Sequence, residues 1–367
     1  MSLFPPLACP RLVIKVGSAL LVDPDGAVRR AFLAGLVADI AARVRGGQQI
    51  VVVSSGAIAL GARRLKLARG GRASLEDAQA AAATGQIALA QTWAGLLEDQ
   101  GITAAQMLVT LDDLEDRRRY LNAAATLGRL LGLGVVPIVN ENDSVATEEI
   151  RFGDNDRLAA RVAQAAGASG VVLLSDVDGL YDRDPAAPDA THLPHVARID
   201  AAIEAMAGGG SASGIGSGGM ASKIAAARIA ARAGIPLAIA SGTVDRPLAG
   251  GARHTLFAAD RVAPARKAWL SGGLTARGSI HVDAGAVRAL ADGRSLLAAG
   301  ATRVEGGFGR GDLVTIQGPS GPVARGLVEY DAAEAERLLG RQSDDHAAIL
   351  GYAPRAALVH RNHLALL

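Results

Sequence analysis

Cysteine is almost missing from this sequence: Cys9 is the only one. A single thiol closes no internal disulfide, and it rules out the four-cysteine class of zinc site. Aromatic residues are scarce at 3%, so any core has to be aliphatic, built from Leu, Val, Ile and Ala. A strong charge of one sign is also lacking. The formal net charge is +2, which argues against a chain that wraps nucleic acid or coats an anionic membrane. No long apolar run opens the sequence either. Met1 to Pro10 holds three prolines and no basic residue, and Lys15 interrupts the hydrophobic stretch that follows. Neither a signal peptide nor a membrane span is expected, and a reduced, cytoplasmic location is the default.

What the chain does contain is core-forming material and glycine. Half of its 367 residues are hydrophobic, a fifth are charged, and 45 are glycine. That length exceeds what one hydrophobic core organises, so two domains are expected. From residue 11 to about 257, short β-rich runs alternate with longer helical patterns. Leu12–Val16, Gln49–Val53, Met107–Val109, Val135–Val139, Val171–Leu174 and Ile235–Ala240 read as strands. Phe32–Arg45, Leu75–Leu97, Tyr120–Leu133 and Met220–Ala233 read as helices. Near-continuous apolar strands separated by helices predict an α/β fold, a three-layer αβα sandwich with a mainly parallel sheet. After Ala240 the pattern loosens, and from about Arg277 short strands separated by glycines predict a small β-rich domain. The boundaries expected are 1–260, a linker at 261–276, and 277–367.

In parallel sheets ligands collect at the carboxyl ends of the strands, and the unusual residues of this sequence sit there. Lys15-Val16-Gly17-Ser18 offers an ammonium beside a glycine turn whose backbone N–H groups can approach an anion. Ser54-Ser55-Gly56-Ala57 opens a helix with two hydroxyls and a glycine, the chemistry of an anion-binding N-terminus. Asn140-Glu141-Asn142-Asp143 and Gly153-Asp154-Asn155-Asp156 bring carboxylates and carboxamides together, an arrangement that needs hydrogen bonds or cations to be stable. Gly208 to Lys223 is a glycine-rich loop feeding a helix with Lys223 in its first turn. A cation is misplaced at the positive end of a helix dipole unless an anion compensates it, so this segment reads as a phosphate loop. It matches neither the Walker A spacing nor a dinucleotide fingerprint with its acidic partner. Ser175-Asp176, ending another buried strand, could hold a nucleotide, and Asp178-Gly179 reads as a turn.

Taken together, these segments resemble the motif series of the amino-acid kinase family, and within it that of the glutamate 5-kinases. The resemblance rests on Lys15–Ser18, Ser54–Ile58, Met107–Thr110, Asn140–Asp143, Gly153–Asp156, Asp178–Tyr181 and Gly216–Lys223, all in family order. Gly306–Asp312 resembles part of the PUA domain carried by bacterial members. The resemblance implies ATP and Mg²⁺ as cofactors and transfer of a phosphoryl group to the side-chain carboxylate of L-glutamate, the first step of proline biosynthesis. It implies feedback inhibition by proline and a homo-oligomer, dimer or tetramer. It implies that Lys15, Ser217, Gly218, Gly219, Met220, Ala221, Ser222 and Lys223 bind the ATP phosphates and that Ser175 and Asp176 hold the nucleotide. Ser55, Asp143 and Asn155 would bind glutamate, and Asp156 would orient the two lysines, making Lys15, Lys223 and Asp156 the catalytic set. Ser54, Ser175, Ser217 and Ser222 stand where threonine is common in the family, and each keeps the hydroxyl.

Two rivals remain open at this level. One is a sister kinase acting on acetylglutamate, aspartate, carbamate or uridylate. The other is an RNA-binding protein acting through its C-terminal domain, although 14 basic against 11 acidic residues from Gly251 onward, with few aromatics to stack on bases, give it little support. The histidines suggest no metal site. His192 and His195 fall in a Pro-flanked loop, and His360 and His363 are expected on one helical turn at the surface.

Overall fold

A computed structural model describes residues 3–23, 27–145, 154–207, 219–260, 275–352 and 355–367. The chain divides into two compact units: residues 1–115 with 122–260, and residues 116–121 with 261–367.

The first unit is built on strands β1 (Arg11–Val16), β2 (Gln49–Ser54), β3 (Ala104–Val109), β4 (Val136–Glu141), β5 (Gly170–Ser175), β6 (Leu180–Tyr181), β7 (His192–Leu193), β8 (His195–Val196), β9 (Leu237–Ser241) and β10 (His254–Phe257). Eight of them form one sheet in the order β3-β4-β2-β1-β5-β9-β10-β8, while β6 and β7 make a separate two-stranded ribbon. The run from β3 to β9 is parallel throughout, and β10 pairs antiparallel with β9. A parallel sheet has both faces covered, which explains why β1, β2 and β5 are apolar almost without interruption. Leu12, Ile14, Val16, Ile50, Val52, Val172 and Leu174 pack on one face with Leu33, Leu36 and Ile40 of helix Arg30–Arg45 and Leu89, Trp93 and Leu97 of helix Leu75–Glu98. The alternate positions Val13, Lys15, Val51, Val53, Val171 and Leu173 are buried too. Helices Asn155–Ala166 and Met220–Arg232 lie against β1, β5 and β9. The three-layer sandwich follows from that alternation, and each fully buried Leu or Val contributes about 1.5–3 kcal/mol.

Helices Ala57–Leu65 and Leu75–Glu98 cross unusually closely. A Cβ on Gly61 would overlap the Ala81 carbonyl, and one on Gly85 would overlap the Ala57 carbonyl. Glycine is needed at both positions because there the two backbones touch. Apart from the first turn of Leu75–Glu98, which is capped by Ser74 Oγ accepting from Asp77 N, that helix carries no charge until Glu98.

The second unit holds a six-stranded sheet in the order β12-β16-β15-β14-β11-β13. Its strands are β11 (Gly278–Val282), β12 (Leu296–Leu297), β13 (Ala301–Glu305), β14 (Leu313–Gly318), β15 (Gly321–Val328) and β16 (Ala357–Leu366). Ile280, Val314, Ile316, Ala324, Val328, Leu358 and Val359 share its core with Tyr330 and Leu338. Two sequence expectations are corrected. His360 and His363 lie on β16, not on a helical turn, with ring centroids 5.8 Å apart. His363 is also buried, at 8% exposure, with Nδ1 3.6 Å from the buried Glu329 carboxylate. The polar His-Arg-Asn-His run interrupts an otherwise apolar strand, which hides its period of two.

Candidate active site

Four neighbouring parallel strands, in the order β4-β2-β1-β5, end side by side. The register pairs Lys15 with Val53 on one side and with Leu173 on the other, and Val53 with Val139. Parallel pairing in register therefore brings Lys15, Ser54 and Ser55, Asn140 and Glu141, and Ser175 to one edge, although up to 160 residues separate them in sequence. β4 runs further than the sequence suggests. Asn140 and Glu141 are strand residues, exposed by only 1% and 2%.

Helix Asn155–Ala166 starts at the same edge, capped by Asp154, whose side chain accepts from Arg157 N at 3.2 Å. The first turn of this helix delivers Asp156, at 1% exposure, between two ammonium groups. Lys15 Nζ lies 2.6 Å from Asp156 Oδ1, and Lys223 Nζ donates to Asp156 Oδ2 at 3.2 Å. Burial pushes the Asp156 carboxyl up, but the Lys15 and Lys223 charges outweigh it and hold it below the usual carboxylate range. Both lysines are themselves buried. Two unit cations about 4 Å apart repel by roughly 4 kcal/mol at an effective dielectric of 20. One carboxylate shared by both offsets that and leaves a net positive centre.

Beside this triad runs a chain of uncharged side chains. Asn155 Nδ2 donates to Ser55 Oγ at 2.8 Å and to Asn140 Oδ1 at 3.1 Å. Asn140 Nδ2 in turn donates to Gln86 Oε1 at 2.8 Å. Trp93 Nε1 donates to Ser54 Oγ at 2.8 Å from the same helix that carries Gln86. Asp143, two residues beyond β4, is buried, and that burial raises its carboxyl to about 6 despite the opposing charge of Arg72. Asn155 Oδ1, Asp143 Oδ1 and Gln86 Nε2 are buried without a hydrogen-bond partner among the described residues.

Among the residues expected to meet nucleotide, Ser175 is buried and its Oγ donates to Asp176 Oδ1 at 3.0 Å, while Asp176 itself is exposed. Gly219 is the N-cap of helix Met220–Arg232, where Met220, Ala221, Ser222 and Lys223 form the first turn. Ser222 Oγ donates to the Asp154 carboxylate, tying this helix start to that of Asn155–Ala166. Ser217, Gly218 and Gly153 lie outside the described residues. The structure thus brings Lys15, Lys223 and Asp156 together, and joins Ser55 to Asn155. Gln86 and Trp93 escaped the sequence reading because one of three glutamines, or a single Trp, in an Ala-rich helix carries no local mark of a site. The Gly85-Gln86 pair, a glycine and an amide in the uncharged middle of that helix, was the available signal.

With this geometry established, comparison with known proteins is decisive. The amino acid kinase family model matches residues 10–241. The chain belongs to the amino acid kinase family. A PUA domain model matches residues 278–350, over the second unit's sheet. Among curated relatives, the family member named glutamate 5-kinase in Sphingopyxis alaskensis is 72% identical over 368 residues, covering 100% of both chains. Glutamate 5-kinases of Novosphingobium aromaticivorans and Zymomonas mobilis are 64% and 58% identical, over 98% and 100% of this chain and 96% and 94% of theirs.

Proposed function

We propose that the chain is a glutamate 5-kinase: it transfers the γ-phosphoryl group of ATP to the side-chain carboxylate of L-glutamate, giving L-glutamyl 5-phosphate and ADP. The observation that carries this reading is the convergence of Lys15 and Lys223 on Asp156 at the strand ends. The full-length kinship with glutamate 5-kinases supports the choice of acceptor.

The reaction brings two anions together, a carboxylate nucleophile and a triphosphate. No general base is required, because the glutamate side chain is already ionised near neutral pH. Positioning and fixed positive charge are what phosphoryl transfer asks of a protein. Lys15 meets the transferring phosphoryl oxygens and Lys223 the side of the leaving ADP. Asp156 aims both ammonium groups and keeps them ordered before nucleotide arrives. Backbone N–H groups near Gly17 and Gly56 add donors that need no reorganisation. Gly219 to Lys223, at the positive end of helix Met220–Arg232, receives phosphate oxygens, and Ser175 and Asp176 hold the nucleoside portion. Ser55, Asp143 and Asn155 take glutamate.

Mg²⁺ would enter with the nucleotide and would supply charge neutralisation beside Lys15 and Lys223. Proline inhibition and a dimeric or tetrameric assembly belong to the same proposal.

The test is ADP release measured with L-glutamate, N-acetylglutamate, aspartate and carbamate in parallel, with hydroxylamine present to trap an acyl phosphate. ADP release and hydroxamate formation dependent on L-glutamate alone are expected. Equal or greater turnover with any other acceptor overturns the assignment.

A further inference from the structure

The carboxamide chain has a direction, and its origin lies outside the residues assigned to substrate. An amide carries two N–H donors on nitrogen and an acceptor oxygen, so the partners of one end dictate what the other end presents. Asn155 Nδ2 has committed its hydrogens to Ser55 Oγ and Asn140 Oδ1. Its Oδ1 is therefore the end left over, buried and without a partner among the described residues. That orientation requires Asn140 to turn its oxygen toward Asn155. Asn140 does so because its own Nδ2 is taken by Gln86 Oε1 at 2.8 Å. The hydrogen bonds run from Asn155 through Asn140 to Gln86, whose Nε2 has no partner among the described residues.

Gln86 is well placed to set this direction. It is buried at 8% exposure on helix Leu75–Glu98, next to Gly85, where that helix touches the backbone of Ala57–Leu65. A buried acceptor left unpaired costs about 1–3 kcal/mol, a cost that a ligand donor removes on binding. L-glutamate has one donor group, its α-ammonium, whereas its two carboxylates only accept.

We propose that Gln86 is a positioning residue for substrate recognition: through Asn140 it locks the Asn155 amide with its oxygen outward, and so selects an acceptor substrate that carries a free ammonium group. This inference rests on the glutamate kinase reading given above. A site whose buried acceptor is fixed rejects analogues that lack the matching donor, since the acceptor then stays unpaired. Loss of Gln86 frees Asn140 and Asn155 to rotate, and the preference weakens.

The experiment is steady-state kinetics of the full chain with Gln86→Met, which keeps volume and removes the amide, and with Gln86→Glu, which keeps an acceptor oxygen for Asn140 in either protonation state. Glutarate, glutamate without its amino group, serves as a competing ligand. Gln86→Met is expected to raise the KM for L-glutamate about tenfold or more, the scale of one lost hydrogen bond. Its kcat, its KM for ATP and the inhibition constant of glutarate should stay within twofold. Gln86→Glu should recover most of the glutamate KM. The proposal fails if Gln86→Met leaves the glutamate KM within twofold, or if Gln86→Glu is as impaired as Gln86→Met. It also fails if glutamate and glutarate weaken equally. Should Gln86→Met not fold by thermal melting, Gln86→Asn, one methylene too short to reach Asn140, takes its place with the same expected outcomes. Absence of glutamate-dependent ADP release in the unsubstituted protein would instead refute the kinase reading, so the two failures are distinct.

Discussion

Replacing Asp156 with Asn removes the carboxylate that both buried ammonium groups contact. Asp156 is 1% exposed, and its two oxygens contact Lys15 and Lys223 at 2.6 and 3.2 Å. Breaking a buried ion pair from one side costs about 3–5 kcal/mol, because the remaining charges stay buried without the carboxylate that offset them. A loss of 3 kcal/mol is roughly a 150-fold shift in the folding equilibrium. Denaturant unfolding of Asp156→Asn, followed by a probe in the first unit, should show that loss without nucleotide. A non-hydrolysable ATP analogue should restore more stability to the variant than to the unsubstituted protein, because polyphosphate supplies the missing negative charge. The pH dependence gives a second reading. The folded-state value of Asp156 is depressed, so its contribution is present above the ordinary carboxylate value near 4 and is lost as pH falls through the folded value. Asp156→Asn should flatten that acid limb. A stability change under about 1 kcal/mol, with no difference in analogue rescue, would show that the two lysines are not held by this carboxylate.

Lys223→Ala should lower kcat by about a hundredfold or more, with the glutamate KM changed only a few-fold, because the ammonium acts on charge that develops in transfer; initial rates with varied glutamate decide this. Asp143, raised to about 6 by burial, must ionise to hold an ammonium. The glutamate KM should climb as pH falls through about 6, and Asp143→Asn should abolish that inflection. In stability the sign is opposite: the contribution of Asp143 is full below about 4 and is lost as pH rises through 6, so Asp143→Asn should be relatively more stable at pH 8 than at pH 4. Gly85→Ala forces a methyl into the Ala57 carbonyl, and calorimetry should record a loss of about 1–3 kcal/mol or more, together with a raised glutamate KM.

Much of the site was legible because a parallel sheet converts strand ends into neighbours. Lys15, Ser55, Asn140 and Ser175 each follow or close an apolar run, and that suffices to place them on one edge. Lys223 was legible through its conflict with the helix dipole, and Asp156 through the crowding of acids around it. The full length of β4 was hidden, because Asn140 and Glu141 read as loop until Gln86 supplies a partner within the core. Gln86 itself was hidden for the same reason: its meaning depends on a crossing of helices that no local pattern encodes. In the second unit, β15 and β16 were missed. β15 mixes glycine, proline and arginine, and β16 carries a polar centre whose His363 is buried beside Glu329.

The bare crossing at Gly61 and Gly85 has a consequence for how such an enzyme tolerates change. Where two main chains meet with nothing between them, there is no flexible filler to absorb a shift, and the whole length of helix Leu75–Glu98 acts as a lever. Drift at that fulcrum would reach the catalytic edge as an altered taste for substrate before it registered as unfolding, so variation there should surface first in affinity.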